Sequence, residues 1–471
     1  MSLAARPRSS RPSVPFRLAP APLGRAARPT SRRRRSLRFS TAEGVGAEIV
    51  GACAGATALT GWALHLDASP AEIALVGALP QLAQLVQLPA AWVTATLGRR
   101  RVAIATVAIS RQALLPLAFF PFLPIGPGAA RALLLAVAGA SAVLGVIGNN
   151  AWTAWMGELV PARLRGRYFG RRTGLCTLCG TLAGVGVGRL LDGAARQHAS
   201  GAALAALAVV ACAVGAVTTA LMARQHDPGG GAPAAPPPLA AALRPVRDPA
   251  ARALLAYQLV WNASVGLAGG LFTFFLVHDL RAGFTVAALH AATAATLRMA
   301  ASPAWGRAVD RFGARPVLAT CSFAVAGLPL LWIAAGPDRL WPIAIDAVLA
   351  GIAWGGHGIA SFALPLALAP RRERPFYVAE IAMAGGVAYA LAAAGGGLLA
   401  PALARAPATY CCSSKHGLEL VFLASALGRF ASAFLALRIR EQGAESLRAL
   451  HRAARGAMLR RLVDEVRRHA A

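Results

Sequence analysis

Gly306-Arg307-Ala308-Val309-Asp310-Arg311-Phe312-Gly313-Ala314-Arg315-Pro316 stands between two apolar runs, 284–305 and 316–336. A helix of about 20 apolar residues crosses the hydrocarbon core of a bilayer. The stretch therefore reads as a short basic turn joining two membrane-spanning helices. Its glycines permit a tight reversal, and Asp310 offers a carboxylate to a neighbouring helix end or to an arginine. Arg311 and Arg315 suit the depth of lipid headgroups.

Working outward from this turn, comparable runs lie at 44–66, 71–96, 101–124, 130–157, 172–194, 201–223, 252–278, 341–367, 377–403 and 417–438. The expected fold is an all-α membrane protein of twelve transmembrane helices. Composition agrees, with 56% apolar and only 14% charged residues, against about 25% charged in soluble domains. A soluble enzyme is excluded, because too few polar residues remain to cover its surface.

The net charge of +29 would suit a nucleic-acid binder, but its distribution does not. Of 48 Lys and Arg residues, most fall in the two tails and in the connections after helices two, four, six, eight and ten. The intervening connections hold only Arg131, Arg189, Arg196, Arg281, Arg339, Arg405 and Lys415, and Arg111, Arg298 and Arg429 lie inside helices. This alternation places the arginine-rich face and both termini in the cytoplasm. The expected partners are membrane lipids and a small-molecule solute, with no nucleic acid, and the expected location is the inner membrane.

Residues 1–40 read as a basic, disordered cytoplasmic tail; the Arg- and Ser-containing stretch also matches an organelle transit peptide in composition. Helices one to six form a half at 41–223. The segment 224–250, with Asp227-Pro228-Gly229-Gly230-Gly231 and Pro236-Pro237-Pro238, is a linker. A second six-helix half spans 251–440, and 441–471 is a basic amphipathic tail with Leu447, Leu450, Ala454, Met458, Leu462 and Val466 on one face. The halves repeat in sequence: Ala91-Trp92 recurs as Ala304-Trp305, His65-Leu66-Asp67 as His278-Asp279-Leu280, and Pro161-Ala-Arg163-Leu-Arg165 as Pro370-Arg-Arg372-Glu-Arg374. Three matches in order, in equivalent loops, indicate parallel pseudo-symmetric repeats.

The turn Gly306, Asp310, Arg311, Gly313, Arg315 resembles the signature loop of the major facilitator superfamily, G-x-x-x-D-R-x-G-R-R. The matching turn after helix two, Trp92-Val-Thr-Ala-Thr-Leu97-Gly98-Arg99-Arg100-Arg101, lacks the Asp and is two residues shorter. The stretch Asn149-Asn150-Ala-Trp152-Thr-Ala-Trp155-Met-Gly-Glu158, running into Tyr168-Phe169, is similar to a bacterial branch of that superfamily. The resemblance implies secondary active transport of a small solute by alternating access, as a monomer, with proton coupling. It implies no cofactor, no metal and no enzymatic activity. A transport-inactive membrane sensor or assembly partner with the same fold is the alternative.

In that family helices one, four, seven and ten line the cavity, with two, five, eight and eleven beside them. The resemblance therefore puts Asn149, Asn150, Trp152, Gln258, Asn262 and His357 at the substrate site, and Arg298 on a flanking helix. His357 amid glycines fits a proton carrier, a substrate ligand, or a histidine bonded within a packed helix crossing. Arg298 would pair with an anionic substrate group, whereas Arg111 and Arg429 fall on rear helices and read as structural. Cys176-x-x-Cys179 has a redox or metal spacing but no further ligands in its helix, and Cys411 and Cys412 are adjacent in an outer loop.

Overall fold

The computed structural model describes residues 31–161, 165–228, 247–368, 374–404, 416–453 and 455. These residues form twelve helical segments, with no strand among them. They are α1 (Ser31–His65), α2 (70–97), α3 (Arg99–Phe122), α4 (Pro127–Leu159), α5 (Arg165–Arg196) and α6 (Ser200–Ala223), followed by α7 (249–279), α8 (Gly283–Phe312), α9 (Ala314–Ile333), α10 (Trp341–Leu368), α11 (Arg374–Ala404) and α12 (His416–Ala436). Ten are long and apolar enough to cross a bilayer. The other two, α2 and α8, fall short for visible reasons. A 3₁₀ turn at Ala83–Val86 interrupts α2, and α8 carries His290, Arg298, Arg307, Asp310 and Arg311.

The first helix begins earlier than its hydropathy indicates. Residues 31–40, part of the stretch read as tail, are its first turns, with Ser36 and Ser40 buried. A run of arginines is compatible with helix wherever its side chains stay wet, so hydropathy alone places the start too late. The extension also moves Glu48 from a helix end into the helix interior. The remaining tail, most of the 224–250 linker, Pro370–Arg372, Cys411, Cys412 and Ala454 with the chain beyond Arg455 lie outside the described residues.

The two halves pack by the same plan. In the first, α1 lies against α5 and α6, and α3 against α4; in the second, α7 lies against α11 and α12, and α9 against α10. Between halves the contacts run along α2 with α11 and α5 with α8, two pairs related by the repeat. They concentrate at the end opposite the arginine-rich turns. There a Cβ on Gly77 of α2 would stand 2.9 Å from the Cα of Gly270 of α7, and one on Gly188 of α5 would stand 2.8 Å from the Phe284 carbonyl of α8. Asp192 of α5 accepts the backbone N–H groups of Phe284 and Thr285 at 2.7 and 2.8 Å, capping the first turn of α8 from the other half. At the arginine-rich end Trp92 and Leu97 of α2 are 55% and 63% exposed.

Candidate functional site

The α7 face formed by Tyr257, Gln258, Trp261 and Asn262, at spacings of one and four, meets the α10 face formed by Trp354, His357 and Ser361, at spacings of three and four. Between them and α11 lies a cavity of about 410 Å³ that α2 closes with Gln81 and Gln84. Gln258 donates to the Ser361 hydroxyl at 3.0 Å and accepts from Asn262 at 3.2 Å. The His357 ring stacks on Trp261 with centroids 4.4 Å apart, and Trp354 meets it edge-on at 5.2 Å. His357 Nε2 lies 2.8 Å from the Tyr257 hydroxyl, which lies 2.8 Å from the Ser322 hydroxyl on α9. Three of the expected residues, Gln258, Asn262 and His357, are thus brought together. Among the described residues the lining carries no carboxylate, lysine or arginine.

Asn149 and Trp152 go elsewhere. They line a separate cavity of about 220 Å³ in the first half, beside Glu43, Arg111 and Arg172. Glu43 accepts from Arg111 at 2.9 Å and from Arg172 at 3.3 Å, and its side chain is only 4% exposed. Arg111 also bonds the Thr218 hydroxyl, and Arg172 stacks over the Trp152 ring at 4.5 Å. One buried carboxylate between two guanidiniums joins α1, α3 and α5 and satisfies charges that would be costly alone. Asn150 reaches the larger cavity at second hand: it donates to Gln87, which donates to Gln84 on the cavity wall.

Arg298 lines neither cavity. It is exposed, and among the described residues its guanidinium makes no hydrogen bond or ion pair. Arg429 is 3% exposed, with its Nε unbonded and its guanidinium 5.9 Å from the Phe272 ring. In the signature turn, Gly313 has φ +92° and Gly98 in the matching turn has φ +87°. Both start a new helix in a conformation open to glycine. Gly306, expected in the turn, lies inside α8, which continues to Phe312, so the reversal falls at Gly313 alone. Asp310 and Arg311 are exposed, and Arg311 lies 5.1 Å over Phe312. The Ala314 and Arg315 N–H groups donate to Glu441 at 3.0 and 2.7 Å. The turn is thus tied within its own half, and Asp310 has no partner among the described residues.

The family model of the major facilitator superfamily matches residues 263–463, the larger part of the second half. No curated protein matches the chain in sequence. Among solved structures, a variant of the nucleoside transporter NupG superposes with a TM-score of 0.67 at 12% identity, covering 86% of this chain and 100% of that one. A second NupG structure gives 0.63 at 13% identity, covering 87% and 99%. A bacterial homologue of the human lysosomal transporter Spinster, inward-facing and unoccupied, gives 0.60 at 15% identity, covering 88% and 100%. At these identities the likeness extends to the fold. By the length and composition of its helices the chain is a multi-pass membrane protein.

Sequence reasoning missed Glu43, Arg172, Gln81, Gln84, Tyr257 and Trp354. One signal was available: a mid-membrane Arg111 requires an anion, and few acidic residues occur in the first half. The α2 glutamines gave no such signal, since a polar residue near a helix bend is not diagnostic.

Proposed function

We propose that this protein is a secondary transporter that carries a small uncharged polar solute through the 410 Å³ cavity by alternating access. The supporting observation is the cavity wall: Gln81, Gln84, Gln258 and Asn262 offer amide donors and acceptors, Trp261 and Trp354 offer apolar ring faces, and no fixed charge is present. Amides pair with hydroxyl and ring-nitrogen groups, and indoles stack on flat or pyranose-like faces. A sugar-like or heteroaromatic, nucleoside-like solute fits this chemistry, and NupG is a nucleoside transporter. An anionic substrate held by Arg298 fits it poorly. The arginine-rich end lies in the cytoplasm, so the contacts at the opposite end shut the outer side. The protein acts as a monomer in the inner membrane.

The coupling ion is a proton, carried by His357, the one titratable imidazole on the cavity wall. The test is flux into proteoliposomes with labelled nucleosides and sugars under an imposed pH gradient. Uphill uptake by the wild type is expected. His357→Gln should lose accumulation but retain exchange across the membrane. Unchanged uphill transport in that variant would return His357 to a packing role. Absence of flux for every solute that raises the melting temperature would favour the transport-inactive sensor.

A further inference from the structure

At the arginine-rich end, where α1 begins, α3 begins and α6 ends, lies a cavity of about 600 Å³ lined by Arg32, Arg35, Arg100, Arg224, Gln225 and His226. Among the described residues no carboxylate is in its wall. Arg100 bonds the Ala223 and Gln225 carbonyls at 2.6 and 3.4 Å, neutralising the C-terminal end of α6. Among the described residues the guanidiniums of Arg32, Arg35 and Arg224 make no hydrogen bond or ion pair. Asp227, next in the chain after His226, pairs with Arg99 at 3.5 Å, outside this wall. Gln225 adds an independent observation. It is 2% exposed, lines the cavity, and both its amide N and amide O lack a hydrogen-bond partner. A buried amide unbonded at both ends is costly unless a ligand bonds it.

The other half handles the matching corner differently. There the carboxylate of Glu441 accepts the N–H groups of Ala314 and Arg315, and Leu450 of the following segment is buried in the core. The repeat aligns Ala314 and Arg315 with Arg99 and Arg100, through Gly313 and Gly98. The second half closes this corner with Glu441; the first sets Arg99 against Glu158 and Asp227 and leaves Arg32, Arg35 and Arg224 with no anion among the described residues.

We propose that this cavity binds a phosphate group, and that the phosphate is the headgroup of an anionic phospholipid. Guanidiniums match phosphate in geometry and charge, and the Gln225 amide N–H would complete the shell. The place favours a lipid over a free ion. The cavity sits at the ends of α3 and α6, whose flanks expose Ile109, Phe119, Val210 and Val217, as a lipid-facing surface does, at the end where the arginines mark headgroup depth.

The full chain in phosphatidylcholine nanodiscs, with and without a minor fraction of phosphatidylglycerol, tests this by native mass spectrometry and thermal melting. Wild type should retain phosphatidylglycerol and melt higher in its presence. Arg35→Gln with Arg224→Gln should weaken retention about a hundredfold, one decade per lost charge-assisted bond. The pair Arg438→Gln and Arg440→Gln, exposed at the same end with the same loss of charge, should bind as wild type does. Equal loss in both pairs would reduce the effect to diffuse surface charge and overturn the site. Gln225→Leu should melt no lower than wild type in phosphatidylcholine yet lose the lipid-induced rise. A lower melting point there would give the amide to the fold and count against the site. Equal stabilisation by inorganic phosphate in phosphatidylcholine alone would keep the phosphate site and overturn its lipid occupant.

Discussion

The two internal cavities occupy related halves of one pseudo-symmetric fold, yet their chemistry is opposite. In the first half Glu43, Arg111 and Arg172 consume one another's charge, and Trp152 covers the outer guanidinium. In the second, Gln258, Asn262 and Ser361 bond loosely among themselves beside stacked rings. Repeats share a backbone plan because helix packing depends on small residues and shape. They need not share polar side chains, which are free to diverge once each half has one way to satisfy its buried groups. The first half is thereby built as a braced body, and the second offers the uncharged wall proposed above to bind solute.

Glu43→Gln should break the contrast most severely. Removing the shared carboxylate leaves two arginines uncompensated, at a cost of about 3–5 kcal/mol. The check is the unfolding midpoint in detergent. Adding Arg111→Met should recover part of the loss, and no recovery would mean that the triad acts through packing instead.

Asn262→Ala acts on the other side of the comparison. Transport should fall about tenfold, the scale of one lost hydrogen bond to solute, while the melting temperature holds. A stability loss as large as that of Glu43→Gln would erase the distinction between brace and wall. Tyr257→Phe removes a hydroxyl shared by Ser322 and His357. The expected loss is about 1 kcal/mol in stability, read by chemical denaturation. Smallest of all is Arg298→Lys. With no bonded partner among the described residues, it should change stability by less than about 0.5 kcal/mol and leave the solute Kd unaltered. A sharply weaker Kd would restore the anionic substrate.

Twelve helices and the repeat of two halves were legible in the sequence, because apolar length and the placement of arginine are one-dimensional signals; the arginine-rich start of α5 and end of α8 were not, since both helices run into stretches read as connections. The start of α1 was not: Arg32 to Arg38 carry no apolar signal and become helical by continuing a helix already formed. The site was legible only in part. Gln258, Asn262 and His357 share one wall because they lie on the facing sides of α7 and α10, whereas Asn149 and Trp152 turn toward Arg172. Which face of α4 turns inward depends on how α3 and α5 pack around it, and no local spacing encodes that. Asp310, read as a turn residue, lies in the last turn of α8, because the helix runs on to Phe312 and the reversal is confined to Gly313.

Where the halves meet at the end opposite the arginines, Gly77 faces Gly270 and Gly188 faces the backbone of Phe284. Glycine has no rotamers to freeze, so these two close approaches order no side chain of their own. Apart from the Asp192 cap, this end costs almost no dedicated bonds to part. For the alternating access proposed above, a gate made this way would let its two positions lie close in free energy, leaving the bound solute to decide between them. The same economy makes the gate easy to jam. A single methyl at Gly77 would act as a doorstop, 2.9 Å from the opposing Cα, and hold the outer side ajar.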